Sequence, residues 1–261
     1  MAWRRQKDRR IIPQSRETLN EGKVKATRFL NKAIEAFQVA RDAMGGNENE
    51  GGLALSYDKL GDRQVTEGDL AGALKSYRDS LAIIERLSAS DPGNTEWQRD
   101  LLVSYNKIGD VQVAQGNLTA AMTPFKEGLV IIDRLARSDP GNAEWQRDLF
   151  LSYIKIGDIQ AAQGDLAGAL ASYRDSLALS TRLVRSDAGN AEWQRDLSIN
   201  YAKLGGAYAK SNEAAKARES FIAGRAIMAR LIEQHPDWAQ LKQELEGFDT
   251  QIAELVVRDN P

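Results

Sequence analysis

Few residues of this chain have the chemistry that an enzyme or a metal site needs. The 261 residues include no cysteine and one histidine, His235, so disulfides, thiol nucleophiles, zinc sites and histidine-dependent triads are largely excluded. Carboxylates are abundant, but none forms an isolated pair in an apolar setting that would suit acid–base work. Glycine spacings that resemble a phosphate loop lack the Lys-Ser or Lys-Thr that would complete it. The sequence therefore predicts no catalytic, cofactor or metal site.

The charge balance also excludes several classes of partner. Lysine plus arginine (35) nearly cancels aspartate plus glutamate (37), which gives no basic surface for nucleic acid. No run approaches the ~20 apolar residues of a membrane span. The basic stretch 1–14 is stopped by Pro13 before any apolar region of a signal peptide, and we interpret it as a flanking tail, with an export or membrane-surface signal as the alternative. We expect a cytoplasmic protein that binds neither nucleic acid nor membrane.

A 48-residue repeat dominates the sequence. Residues 93–140 recur at 141–188 with 26 identical positions out of 48. Four residue types mark the repeat: Trp97, Trp145 and Trp193; Tyr105, Tyr153 and Tyr201; Gly109, Gly157 and Gly205; Ala121, Ala169 and Ala217. A fixed period of this length predicts stacked units, each unable to bury its apolar face alone.

Each unit is predicted to contain two helices. Apolar residues recur at three- and four-residue spacing on both halves of the unit, and Gly116-Asn117 separates the halves. An asparagine followed by an acidic residue, as at Asn142, predicts an N-cap for the first helix. The short connections require antiparallel packing, in which the repeated glycine faces the repeated alanine and a following aromatic residue fills the space beside the crossing.

The repeats divide the chain into segments. The glycine-rich stretch 45–52 interrupts the pattern, and Asn49 replaces the first tryptophan, so the leading helix of the first clear unit is expected to start late. We predict a basic tail, an N-terminal helix from a degenerate repeat with a glycine-rich turn, four repeats, and a C-terminal capping helix with its tail. These segments are 1–14; 15–52; 53–92, 93–140, 141–188 and 189–234; and 235–261.

The repeat resembles the tetratricopeptide family. The family pattern is complete in the fourth unit as Tyr201, Leu204, Gly205, Tyr208, Ala217 and Phe221. The other units carry glutamine at the second tyrosine, and the unit is longer than the usual ~34 residues, which is similar to kinesin-light-chain-type repeats and to the WQRDL and KLGD repeats of large bacterial multidomain proteins. The resemblance covers residues 53–257. It implies an all-α fold, an antiparallel helix-hairpin solenoid with a right-handed superhelix and a C-terminal capping helix.

Family geometry implies that the first helix of each pair lines a concave groove. The candidate groove residues that follow are Asp58, Asp62, Asn106, Asp110, Val113, Ile154, Asp158 and Ala202. Family members that clamp a carboxyl terminus for heat-shock chaperones use lysine and asparagine where this chain has acids, so a basic or amphipathic ligand is favoured instead. Alternatively, Lys59, Lys107 and Lys155 pair with the aspartate three residues later on a solvated helix. Similarly, the pairs Arg99–Asp100 and Arg147–Asp148 are expected to tie neighbouring turns together.

The resemblance implies a non-catalytic scaffold or adaptor that binds a peptide or helical segment of another protein in the groove. The alternative is a self-assembling structural element whose near-identical units stack end to end, so homo-oligomers remain open. The family binds many unrelated peptides, and the sequence does not identify the partner.

Overall fold

The computed structural model describes residues 26–44 and 46–259, and every regular element in these ranges is an α-helix. The predicted basic tail over 1–14 and the start of the predicted helix from Ser15 lie outside the described residues. The chain forms two compact parts that divide between Asn117 and Leu118; from here on they are called unit 1 and unit 2, and the 48-residue segments are called repeats. This division falls inside the predicted repeat 93–140, and the predicted repeat boundaries stay a prediction.

Unit 1 contains four helices. They are α1 (residues 26–44), α2 (Asn47–Glu67), α3 (Leu70–Ser90) and α4 (Thr95–Ala114). The short connection after α2 makes α2 and α3 an antiparallel pair, and α4 packs on α3. Ala73, Tyr77, Ile108 and Val111 form a buried cluster in this unit.

Unit 2 contains six helices. They are α5 (Leu118–Ser138), α6 (Ala143–Ala162), α7 (Leu166–Ser186), α8 (Ala191–Lys210), α9 (Ala214–Gln234) and α10 (Ala239–Asp259). The pairs α6–α7 and α8–α9 are hairpins, α7 packs on α8, and α10 packs on α9. Helix α10 buries Leu241, Phe248 and Leu255 and exposes polar residues on its other side. The predicted all-α helix-hairpin fold is therefore confirmed.

Asparagine side chains cap the N-termini of α4, α6 and α8, as predicted. The Oδ1 atoms of Asn142 and Asn190 each accept a hydrogen bond, 3.1 Å long, from the backbone N–H of the repeat tryptophan three residues later. Asn94 does the same for Trp97 at 3.3 Å. These bonds satisfy a backbone donor that the helix itself leaves without a partner. The cap therefore sets the residue at which each helix begins, and the tryptophan lies in its first turn.

The start of α2 differs from the expectation. This helix begins at Asn47, so Gly51 and Gly52 lie inside it and not in a turn. The reason is packing: the ring of Phe37 on α1 occupies the place where a Cβ atom of Gly52 would lie. Two acidic residues in the first turn, Glu48 and Glu50, also stabilise the helix, because negative charges interact favourably with the positive end of the helix dipole. Tertiary contact thus overrides the low helix propensity of glycine.

A glycine covered by an aromatic ring holds each described hairpin together. A Cβ atom on Gly157 would lie 2.5 Å from Cε1 of Tyr173, and one on Gly205 would lie 2.7 Å from Cδ1 of Phe221. Gly61 is covered by Tyr77 in the same way. The alanine predicted to face each glycine is fully buried, as Ala73, Ala169 and Ala217. The aromatic ring, however, lies against the glycine itself and not in the space beside the helix crossing. The ring therefore packs directly against the backbone of the first helix.

Adjacent glycines on α8 provide a matched test of this packing. Gly205→Ala should destabilise the protein by about 1–3 kcal/mol, because the new methyl group displaces the Phe221 ring. Gly206→Ala should be neutral or stabilising by up to about 1 kcal/mol, because a Cβ there meets no atom within 4 Å and alanine favours the helix. Urea denaturation of both variants measures the difference. Equal free energies of unfolding would contradict the glycine–ring contact.

Candidate functional site

The predicted groove residues all lie on the first helices, by which we mean α2, α4, α6 and α8. Their surroundings differ. Asp110 and Val113 are exposed, whereas Ile154 is buried with Phe150 and Tyr173 in the core of unit 2. The remaining residues are half-buried: Asp58, Asp62, Asn106, Asp158 and Ala202. Ile154 therefore offers little surface to a partner.

Asp62 and Asp158 each join three helices through hydrogen bonds. In unit 1, Oδ1 of Asp62 accepts from Nζ of Lys107 at 2.7 Å and from the Tyr77 hydroxyl at 2.8 Å. In unit 2, Asp158 accepts from the Tyr173 hydroxyl at 2.7 Å and from Nζ of Lys203 at 2.8 Å. We call each set a Tyr–Asp–Lys cluster. Because the lysine comes from the next first helix, the cluster ties one hairpin to the next.

Hydrogen bonding in these clusters changes the acidity of their members. Burial alone would raise the pKa of Asp62, but the hydrogen bonds from Lys107 and Tyr77 outweigh it and hold that pKa below its ordinary value. Burial, followed by the hydrogen bond to Asp158, raises the pKa of Tyr173 above its ordinary value. Asp62 therefore stabilises the fold at neutral pH, and this contribution is lost as the pH falls through its lowered pKa.

Lysines at the repeat position of the alternative i,i+3 pairs bind an aspartate on a different helix. Lys107 binds Asp62, 45 residues earlier, and Lys203 binds Asp158 over the same separation. The i,i+3 spacing of lysine and aspartate indicated a pair on one helix. However, the next first helix brings its lysine to the same carboxylate, which is already held by the tyrosine hydroxyl.

Arginines make a second set of contacts between helices of unit 2, from α6 to α8 and from α8 to α10. Nε of Arg147 donates to Oδ2 of Asp196 at 2.6 Å, and Nε of Arg195 donates to Oε2 of Glu244 at 3.0 Å. Both pairs span 49 residues. The hydrogen bond to Asp196 contributes most to the raised pKa of Arg147, and the attraction of the adjacent Asp148 contributes less. Asp196 is buried, and a charge-assisted bond at such a site stabilises more than one in water.

Asp100 of unit 1 occupies the same repeat position as Asp196 but has a different environment. Burial raises the pKa of Asp100, and the neighbouring Glu96 and Asp58 carboxylates raise it further. Oδ1 of Asp58 is buried without a hydrogen-bond partner among the described residues, and burial raises the pKa of Asp58 as well. Nearby groups offset burial only in part: Arg99 attracts Asp100, while Lys107 and a hydrogen bond with Ser80 favour the ionised form of Asp58. The pKa values of both carboxylates therefore stay above their ordinary value.

The last interface of unit 2 lacks a Tyr–Asp–Lys cluster. One repeat after Asp158 and Lys203 the chain has Gly206 and Gln251, and Phe221 stands where the tyrosine would be. Gly206, Phe221 and Gln251 line a recess of about 510 Å³ between α8 and α10. Its remaining lining is largely apolar, with Ile199, Ala202, Met228 and Phe248. Loss of the polar cluster has opened an apolar cavity of a size that accepts a bulky side chain.

An exposed aliphatic residue recurs on the first helices, and sequence reasoning missed it. Leu55, Val103 and Leu151 are 58%, 39% and 37% exposed, and they are spaced 48 residues apart. The next residue in this series is Ile199, which lines the recess. The 48-residue period alone could have identified this series, six residues before the repeated glycine. The tetratricopeptide pattern does not include that position, so the resemblance gave no indication of it.

The described residues contain no group of three or more His, Cys, Asp or Glu arranged to hold a metal ion. Among the helices of the same residues, none combines the length and apolar character that spanning a bilayer requires. The histidine side chain packs edge-on against Trp238, with ring centroids 6.2 Å apart. His235 therefore has a structural neighbour in the turn that precedes α10.

Substituting the two equivalent aspartates should have opposite effects on stability at neutral pH. Asp196→Asn weakens the bond to Arg147 and should cost about 1–3 kcal/mol. Asp100→Asn should instead stabilise, by less than about 1 kcal/mol because this side chain is half-exposed. A raised pKa means that ionised Asp100 costs stability, and this cost grows as the pH rises from below the ordinary value of 3.8 through the raised pKa.

Thermal melts of both variants at pH 7 and pH 3 measure these effects. The gain of Asp100→Asn should disappear at pH 3, where the wild-type carboxyl is protonated. A loss of stability in Asp100→Asn at pH 7 would contradict the interpretation that its carboxylate is poorly neutralised.

Comparison with known proteins gives structural matches only. No protein-family model matches the sequence, and no curated protein does. Among solved structures, BtubC (BKLC) from P. vanneervenii is 15% identical with a TM-score of 0.59, and the match covers 90% of this chain and 89% of that one. The putative kinesin light chain TPR-like repeats from Podospora anserina are 17% identical with a TM-score of 0.59, with 83% and 91% covered.

The apo form of RapI also matches. It is 13% identical with a TM-score of 0.64, and the match covers 88% of this chain and 54% of RapI, so the chain spans about half the length of that protein. Identities this low establish the fold and not the partner. With its helical hairpins and 48-residue period, this chain has a tetratricopeptide-like helical-repeat fold.

Proposed function

We propose that the chain is a non-catalytic scaffold that binds a peptide or helical segment of another protein on the exposed face of its first helices. The observation that carries this proposal is the recurring aliphatic residue of the first helices. Leu55, Val103 and Leu151 remain exposed although each unit has a buried core to receive apolar side chains. Single exposed aliphatic residues are common, but repetition at one position of three successive repeats favours an interaction surface.

Residues on the same helix face support a partner of basic or amphipathic character. On α2, Leu55, Asp58 and Asp62 are three and four residues apart and so lie on one face. Val65, another three residues on, is 41% exposed. A segment with a basic residue between apolar ones would match this order of side chains. Asp58, whose Oδ1 accepts no hydrogen bond among the described residues, would attract its charge while its apolar residues cover Leu55 and Val65.

The recess between α8 and α10 supports the same proposal in unit 2. Its charged members are already paired, Lys203 with Asp158 and Glu244 with Arg195. The apolar lining would therefore receive an uncharged, bulky side chain of the bound segment without leaving a charge unpaired. Such pockets provide the anchor points of many protein–protein interfaces.

The chemistry of the chain supports a role in binding and not in catalysis. Asp62, whose pKa is lowered, contacts Tyr77 and Lys107 in a structural cluster. We further propose a cytoplasmic location, with which the absence of cysteine from the sequence is compatible.

Paired serine variants on first and second helices test the proposed face. The first-helix variant carries Leu55→Ser and Val103→Ser. The control carries Val130→Ser and Ile222→Ser, which are 67% and 48% exposed on the second helices α5 and α9. All four residues are exposed, so each change should alter stability by less than about 0.5 kcal/mol. The two variants therefore differ in which face they alter.

Quantitative affinity capture from cells of the source organism, followed by calorimetry with the captured protein, gives the readout. The first-helix variant should weaken binding by about tenfold or more, and the control by less than about twofold. Equal losses in both variants, or none in either, would argue against the first-helix face. Light scattering of the wild type accompanies these measurements, since concentration-dependent oligomers without a heterologous partner would favour self-assembly instead.

A further inference from the structure

Two glycines line the recess between α8 and α10, one on each helix. They are Gly206 of α8 and Gly247 of α10. A Cβ atom on either glycine would meet no atom within 4 Å. Both stand where the preceding repeat carries a larger side chain, since Gly206 occupies the position of Asp158 and Gly247 that of Ile199. Bare helix backbone therefore faces the recess from both helices.

Five other glycines inside the described helices lie against an aromatic ring of the chain itself. A Cβ atom on any of them would lie between 2.4 and 2.7 Å from a ring carbon, so the missing side chain is what lets the ring approach the backbone. The pairs are Gly52 with Phe37, Gly61 with Tyr77, Gly157 with Tyr173, Gly205 with Phe221 and Gly224 with Phe248. Gly206 and Gly247 offer the same kind of backbone surface, but no ring of the described residues covers it.

The side chains around the recess also suit an aromatic group. Phe221, Met228 and Phe248 line it and are otherwise buried. The two phenylalanine rings meet edge-on, with centroids 6.4 Å apart. Both a ring edge and a methionine sulfur interact favourably with a further aromatic ring. These contacts favour an aromatic occupant over an aliphatic one of the same size.

The charges at the recess are already paired within the chain. Nζ of Lys203 lies 2.8 Å from a carboxylate oxygen of Asp158, and the Glu244 carboxylate accepts two hydrogen bonds from Arg195. A charged occupant would lose its water without gaining an opposite charge, which is unfavourable in an apolar setting. The recess therefore favours an uncharged occupant.

We propose that this recess binds one uncharged aromatic side chain of the partner segment, with its ring against the backbone at Gly206 and Gly247. This inference rests on the proposed function and specifies the partner's chemistry. A volume of about 510 Å³ accommodates a phenyl or an indole ring. A planar ring makes close contact with a helix surface that lacks a Cβ, as the chain's own rings do, whereas a branched or puckered aliphatic group does not. The hairpins are closed by rings of the chain, and the recess is closed by a ring of the partner.

The test uses N-acetyl-phenylalanine amide as the probe and the full-length chain as the receptor. The methyl signal of Met228, assigned with Met228→Leu, is followed by carbon-13 NMR during titration. The ring current of the probe should shift this signal, with a dissociation constant on the order of 10 mM or lower.

N-acetyl-cyclohexylalanine amide serves as the matched probe, because it has the same side-chain carbon skeleton without the planar ring. It should bind at least about threefold more weakly than the phenylalanine probe. Burial of apolar area alone predicts the opposite, since the cyclohexyl group is at least as apolar as the phenyl group. The two probes therefore separate recognition of a ring from general apolar burial.

Three variants locate the site. Gly247→Ile restores the kind of side chain that Ile199 provides one repeat earlier, and it should weaken probe binding about tenfold or more by filling the recess. Gly206→Ile fills the recess from α8 and should have the same effect. The control Ala253→Ile adds the same side chain at an exposed position of α10 outside the recess and should bind within about twofold of wild type. Thermal melts establish folding, and if one glycine variant misfolds, the other decides the result.

The captured partner should respond as the probe does. Gly247→Ile should weaken its binding about fivefold or more, and Ala253→Ile by less than about twofold. Equal or tighter binding of the cyclohexyl probe would overturn this inference, and so would wild-type affinity for the probe or the partner in a folded Gly247→Ile or Gly206→Ile protein.

These outcomes leave the proposed function standing if the Leu55→Ser and Val103→Ser variant still loses its partner. Conversely, loss of the probe and the partner in Gly247→Ile, while the Leu55→Ser and Val103→Ser variant keeps its partner, would support the aromatic site and contradict the exposed aliphatic residues as the binding face.

Discussion

The contact on which the described hairpins depend is an aromatic ring lying on a glycine of the first helix. In the Gly61–Tyr77 and Gly157–Tyr173 pairs, the absence of a Cβ lets the ring reach the helix backbone. The residue after the glycine is then aspartate, and the tyrosine hydroxyl binds it. One steric contact therefore places the hydroxyl, the hydroxyl holds the carboxylate, and the carboxylate receives the lysine of the next hairpin.

Substitution within this arrangement converts a structural contact into a surface feature. Phe221 covers Gly205 as tyrosine does elsewhere, so the α8–α9 hairpin is kept. It has no hydroxyl, however, and Gly206 and Gln251 replace the aspartate and lysine. The resulting recess lies between helices that remain packed through Phe221 and Phe248, whose rings meet edge-on at 6.4 Å. The α8–α9 hairpin thus keeps its packing where the polar cluster is absent, and a recess lies in that place.

The acids of the first helices have different surroundings in the two units. Asp158 and Asp196 in unit 2 each bind a basic side chain of another helix. In unit 1, Asp100 stands at the repeat position of Asp196, but position 51 is glycine and cannot supply the arginine that Asp196 binds. Burial raises the pKa of Asp100, and Arg99 offsets this only in part.

The sequence alone determined the class of structure. Helix formation depends on local preferences that recur in each repeat. The 48-residue period, the apolar spacing and the asparagine caps therefore predicted the helices, the hairpins and most helix starts correctly. Tertiary structure decided which partners the charges take. The i,i+3 spacing of Lys155 and Asp158 suits a pair on one helix, and packing of the next hairpin also brings Nζ of Lys203 within 2.8 Å of Asp158. Similarly, only packing of Phe37 placed Gly52 inside α2. The local sequence pattern determines where helices form and how often they recur. Contacts between residues 45 to 49 apart depend instead on how two helices pack, and the sequence of one helix does not contain that information.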